Sequence, residues 1–214
     1  MISYDDLQKT IFDFSYGAAL GDAIGQKAFE GKKKPLRDNE EAKYIARQYI
    51  DDIINGKKPD FYKTSYALEK SFTQYIAENK SKIIYIKKDG NPSDPIFRFG
   101  NAQKLLNMLA KNMFLLVYQD ELLRANFAQC HCPMDNIMIA IVKEELKGTD
   151  EKASLLLKRY KDSEKLAWSR IEEEDLEQYE AFQACVKFLA DKQDISPIEY
   201  DYWQWKKTQQ PDDK

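Results

Sequence analysis

The stretch that most constrains this chain is NAQKLLNMLAKNMFLLVY, Asn101 to Tyr118. Wound at helical pitch, it is apolar on most of its circumference, which suits neither a half-exposed strand nor a surface helix. Such a helix needs apolar neighbours on several sides, and the sequence supplies them. Asp38 is the expected N-cap of a helix with Ala42, Ile45, Tyr49 and Ile53 on one face and Gly56 just past its end. Phe61, Leu68, Phe72, Tyr75 and Ile76 mark the next helix, and Leu176, Tyr179, Phe182, Val186 and Leu189 a later acidic one. Ser196 with Glu199 forms a capping box ahead of a terminal aromatic helix. The first helix is expected to start at Ser3, carry Leu7, Ile11, Phe14 and Ala18 on its apolar face, and run to Phe29.

The β signal is confined to KIIYIKK and IFRF on either side of DGNPSDP, a turn-rich segment. With 43% hydrophobic residues in 214, one core can be filled. The expected fold is therefore all-α: a single-domain bundle of about seven to eight helices over 1–208, with a small β-hairpin near 82–99 and a disordered tail at 209–214.

A net charge of -3 gives no global attraction to nucleic acid or membrane. The charge is unevenly placed, however. From Asn79 to Met113 seven basic residues face two acids, and from Glu172 to Asp201 ten acids face two lysines. Cys130, Cys132 and Cys185 do not form a disulfide framework, the N-terminus carries acids where a signal peptide has positive charge, and no apolar run is long enough to span a bilayer. These features point to the cytoplasm, with no membrane partner and no cofactor.

Four segments can carry chemistry. In GAALGDAIG, Gly17, Gly21 and Gly25 fall on one helix face, which predicts close approach of another backbone. This stretch resembles the opening of ADP-ribosylglycohydrolases, helical magnesium-dependent enzymes, and the resemblance makes Asp22 and the pair Asp51 and Asp52 its candidate ligands. YIDDIING departs from that family in lacking a threonine before the paired acids.

On the central helix the polar positions Asn101, Gln103, Lys104, Asn107, Lys111 and Asn112 include no acid. A stripe of amides and ammoniums offers donors for phosphate or base edges, and equally for bonds to neighbouring helices. FRFGNAQKLLNM, HCPMD and SPIEYDYWQW are similar to patterns in small uncharacterised bacterial and phage-encoded helical proteins. That resemblance implies a prokaryotic or viral setting and no particular activity.

RANFAQCHCPMD holds the only histidine, His131. Three consecutive ligands diverge, so Cys130, His131 and Cys132 do not make a zinc site. With Pro133 as the first helical residue, Cys132 becomes the N-cap and Asp135 lies in the first turn; the helix dipole opposes an imidazolium there and Asp135 favours it, leaving a pKa near about 6.5. Arg124 and His131 also fit the R-x4-6-H spacing of HEPN domains, many of which cleave RNA without metal. The resemblance implies His131 as the proton-handling group and Arg124 as the stabiliser of phosphate charge.

In SPIEYDYWQW, Ile198, Tyr202 and Trp205 share one helical face while Tyr200 and Trp203 point elsewhere, which makes Trp203 a candidate partner-binding residue. Together these features predict a binding or interaction protein whose ligand is a nucleotide, a nucleic acid or a protein. Its polar site is expected between the central helix and the His131 turn, using Asn101, Gln103, Lys104, Asn107, Lys111 and Asp135. The alternative is a HEPN-like ribonuclease acting through Arg124 and His131.

Overall fold

The chain's architecture follows from a computed structural model that describes residues 4–24, 35–80, 83, 85–86, 92–93, 96–148 and 150–209. Among these residues nine α-helices form: α1 (Tyr4–Ile24), α2 (Glu40–Ile54), α3 (Phe61–Glu78), α4 (Phe99–Val117), α5 (Glu121–Phe127), α6 (Asn136–Glu145), α7 (Glu151–Ser163), α8 (Leu176–Asp191) and α9 (Pro197–Gln209). The fold is all-α. Where one domain over 1–208 is expected, the residues gather into two units, 1–126 and 127–214, each with its own buried side chains. Of the tail expected at 209–214, Gln209 is the last residue of α9 and 210–214 lie outside the described residues.

In the first unit α4 does what its all-round apolarity dictates. Ala102, Leu105, Leu106, Leu109 and Ala110 are fully enclosed, and the helix packs on α1 and α3. Each such leucine removed from water stabilises the unit by about 2 kcal/mol. α2 packs on α3 and is capped by Asn39, one residue later than expected, because Asp38 ends a preceding turn of 3-10 helix. Asn39 accepts from Ala42 N–H and donates to the Ser71 carbonyl, so one side chain both starts α2 and ties it to α3.

The apolar face expected for α1 is corrected: Phe14 is 78% exposed, whereas Phe12, Tyr16, Ala19, Leu20 and Ala23 are buried. The stripe 12, 16, 19, 23 has helical spacing too, and the neighbouring helices select it. Gly17 does meet a close neighbour, but it is a side chain. The Arg37 guanidinium donates to the Gly17 carbonyl at 3.0 Å and lies 3.0 Å from where a Cβ would stand. Gly21 has nothing within 4 Å of that position, and Gly25 lies outside the described residues.

The hairpin near 82–99 is not supported. The described residues show a single antiparallel pairing of Tyr85 with Ser93 and Ile86 with Pro92, which joins KIIYIKK to the segment expected to be the turn and not to IFRF. Phe97 is buried instead, its ring 4.1 Å from that of Phe72, so IFRF is drawn into the helical core rather than into a strand. Much of 81–95 lies outside the described residues.

The second unit centres on α8, which packs on α6, α7 and α9. Tyr179, Phe182, Cys185 and Val186 are fully enclosed, with the Tyr160 ring of α7 6.1 Å from that of Phe182. The capping box of α9 is formed: Ser196 N–H donates to Glu199 Oε2, and Glu199 N–H to Ser196 Oγ. No helix among the described residues is long and apolar enough to cross a membrane.

Candidate functional site

The amides of the central stripe are turned into the first unit. Asn101 donates to the Ala23 carbonyl of α1 at 2.9 Å and accepts from Arg98 N–H at 3.0 Å. Gln103 and Asn107 are both fully buried; Gln103 donates to the Gly100 carbonyl, and Asn107 donates to Gln103 Oε1 at 3.1 Å. Asn112 reaches the Ser15 carbonyl, again on α1. Acid-free polarity on this helix therefore serves bonds to α1, through Asn101 and Asn112, and bonds within α4, through Gln103 and Asn107; of the expected ligand set, Lys104, Lys111 and Asp135 remain partly open.

Arg124 belongs to the first unit, its guanidinium 5.5 Å over the Tyr118 ring. Asn126 donates to the Ile54 carbonyl beside Gly56, whose φ of +71° is the left-handed conformation that a helix terminus after α2 requires. The α4–α5 corner that carries Arg124 is apolar on its surface: Leu115 is 56% exposed, Leu116 55%, Tyr118 43% and Leu122 72%. Tyr118 is fixed there, its ring edge-on to Phe114 at 5.5 Å.

His131 belongs to the second unit and sits in an irregular segment, four residues before the N-cap of α6. Helix α6 begins at Asn136 because Asp135 is its N-cap, with Oδ1 accepting from Ile137 and Met138 N–H. Pro133 and Cys132 precede the helix and are buried. The positions expected for the cap and the first turn are thereby shifted by three residues. His131 Nδ1 lies 2.9 Å from Tyr179 Oη, and burial lowers the imidazole pKa to about 4 rather than leaving it near its ordinary value. At neutral pH the ring is an uncharged partner of Tyr179.

The same turn is held a second way. Gln183 accepts from Cys132 N–H at 3.2 Å and donates to the Cys132 carbonyl at 2.7 Å. Tyr179 and Gln183 stand one turn apart on α8, so both face the His131 segment. Neither was singled out from sequence as a partner of this turn, since nothing local links residues some fifty positions apart; their four-residue spacing is the only available signal.

Trp203 is 38% exposed, with Lys207 Nζ 3.4 Å over its ring, and Trp205 is more exposed at 56%. The face expected for α9 is thus rotated: Ile198 is buried and Trp203 exposed as expected, but Tyr200 is enclosed together with Asp201 and Gln204 while Trp205 faces out. Gln204 donates to Glu145 of α6, which draws a polar stripe inward and turns Trp205 out. All three thiols are free and buried, and burial pushes Cys185 up to about 11.

Of the acids singled out near the N-terminus, Asp22 is exposed and Asp52 pairs with Lys57 at 2.9 Å. Among the described residues, no group of three or more His, Cys, Asp or Glu is placed to hold a metal ion.

No protein-family model, curated protein or solved structure matches this chain.

Proposed function

We propose that the chain works by binding, and that its partner is a protein docked on the α4–α5 corner. The observation that carries this is the exposure of Leu115, Leu116, Tyr118 and Leu122 together on one short stretch of the first unit. Four large apolar side chains in water favour burial against another surface, and a fixed Tyr beside an Arg is the composition of an interface anchor. Asp120 and Glu121 stand exposed among them. Two carboxylates beside a single arginine repel a phosphate backbone, which favours protein over nucleic acid or nucleotide.

Binding is preferred to the HEPN-like ribonuclease because of His131. A base with a pKa near 4 and Nδ1 engaged by Tyr179 has little basicity for a ribose hydroxyl. A cytoplasmic setting belongs to the same proposal, supported by three buried thiols of which none is in a disulfide. The prokaryotic or phage setting rests on the resemblance of FRFGNAQKLLNM, HCPMD and SPIEYDYWQW alone.

The test is to isolate a stoichiometric complex of the full chain from its native cells, rebuild it from purified parts, and repeat with Leu122→Glu and with Trp203→Ala. Leu122→Glu is expected to weaken the rebuilt complex at least tenfold and Trp203→Ala to leave it unchanged. Binding indifferent to Leu122→Glu overturns the corner as the interface. RNA cleavage by the purified chain, abolished in both Arg124→Gln and His131→Gln, replaces binding with the nuclease.

A further inference from the structure

Helix α7 presents a second pattern, separate from its core face. Ala153, Leu157 and Tyr160 are buried, while Leu155, Lys158, Arg159 and Asp162 recur at three- and four-residue intervals on another side. These four residues line a pocket of about 370 Å³ within the second unit, which Lys165 from the following loop and Glu177 at the start of α8 help to complete. The volume is that of a small-molecule site, and the hollow is shallow and broadly open to solvent.

Its charges are arranged in an unusual way. Three cations converge on one hollow, yet among the described residues no carboxylate lies within ion-pair distance of the Lys158 ammonium, the Arg159 guanidinium or the Lys165 ammonium. Asp162 follows Lys158 by four residues and Arg159 by three, spacings at which helix ion pairs form readily, and still pairs with neither. Elsewhere in the same unit neighbouring charges do pair: Lys187 with Asp191, Lys192 with Asp150 and Lys143 with Glu164. Within the pocket neither Asp162 nor Glu177 forms an ion pair with Lys158, Arg159 or Lys165.

Converging cations repel one another, and a bound anion relieves that repulsion; a guanidinium beside two ammoniums matches a phosphate dianion. Separate carboxylates then face the remainder of the ligand, where they accept hydrogen bonds from hydroxyls. Ser163, itself 8% exposed, also lines the pocket; its Oγ donates to the Tyr160 carbonyl, which leaves oxygen lone pairs for a further hydroxyl. The lining offers no aromatic face on which a nucleobase can stack.

We propose that this pocket binds a small phosphorylated polyol such as a sugar phosphate, its phosphate held by Lys158, Arg159 and Lys165 and its hydroxyls by Asp162 and Glu177. The site is independent of the α4–α5 corner and stands or falls without it.

Calorimetric titration of the full chain with ribose 5-phosphate, ribose and inorganic phosphate tests it. Ribose 5-phosphate is expected to bind saturably, at least tenfold tighter than ribose and tighter than inorganic phosphate. The variant Arg159→Gln/Lys165→Gln alters exposed side chains and is expected to weaken ribose 5-phosphate at least tenfold with an unchanged melting temperature. Asp162→Asn/Glu177→Gln is expected to weaken ribose 5-phosphate while inorganic phosphate binds as well or better, since two repelling charges are gone. Absence of saturable binding, equal affinity in the wild type and the Arg159→Gln/Lys165→Gln variant, or inorganic phosphate binding as tightly as ribose 5-phosphate overturns the proposal.

Discussion

The first and second units use buried amides differently. In the first, Asn39, Asn101 and the half-buried Asn112 each donate to a backbone carbonyl on another helix, while Gln103 and Asn107 bond within α4, so its amides serve helices. In the second, two glutamines of α8 bond helix to loop: Gln183 grips Cys132 in both directions, and Gln178 accepts from Lys165 and Leu166 N–H while donating to the Leu166 carbonyl. The difference follows from what each unit must satisfy. Helices supply most of their own backbone bonds, so one amide per contact is enough; the irregular segments 128–135 and 164–175 do not, and a glutamine with donor and acceptor can serve two or three backbone groups at once.

Breaking these amides gives the largest effects. Gln178 is 1% exposed, and Gln178→Ala leaves three backbone groups without their partner, an expected loss of about 3 kcal/mol. Asn101→Ala leaves two, the Ala23 carbonyl and Arg98 N–H, for about 2 kcal/mol. Urea unfolding of each purified variant measures both. If Asn101→Ala proves the costlier, helix-to-helix amides matter more than the loop clamps and the contrast is reversed.

A middle-sized effect separates the units by pH, since the chain's single histidine lies in the second. Burial holds His131 at about 4 in the folded chain, against 6.5 when unfolded. Protonation therefore favours the unfolded chain: the contribution is complete above pH 6.5, falls as pH drops, and is gone below about 4. Between pH 7.5 and 5.5 the expected loss is on the order of 1 kcal/mol. His131→Gln is expected to remove that component and leave the part due to carboxylates, and an unchanged pH slope in this variant would show a solvated imidazole.

How much of this was legible in the sequence depended on whether a residue's environment is local. α4 was readable because apolarity all round a helix has one physical solution, and the Ser196–Glu199 box because both partners lie within a turn. The face of α1 was not, because Phe12 and Phe14 each head a plausible stripe and only the neighbouring helices choose between them. The α9 face failed similarly: Gln204 is drawn inward by α6, through Glu145. For His131, proximity in sequence suggested Asp135 as its electrostatic partner, whereas Tyr179 and the burial around it determine its charge state. The hollow on α7 was not legible, since Glu177 completes it from another element.

The smallest effect concerns how helices start in the two units. α4 has no capping side chain at Arg98; Asn101 reaches back to the Arg98 N–H instead, and its amide is also bonded to α1. α6 depends on Asp135 alone, whose Oδ1 accepts from both Ile137 and Met138 N–H. Asp135→Ala is expected to cost about 1 kcal/mol and to speed amide exchange in the first turn of α6. Asp135→Asn keeps the acceptor oxygen and loses only the charge that complements the helix dipole, an expected cost of about 0.5 kcal/mol. If alanine and asparagine cost the same, the dipole term and not the hydrogen bonds secures α6. The two helices would then differ in kind: one started by a neutral amide shared with a neighbouring helix, the other by a fixed negative charge.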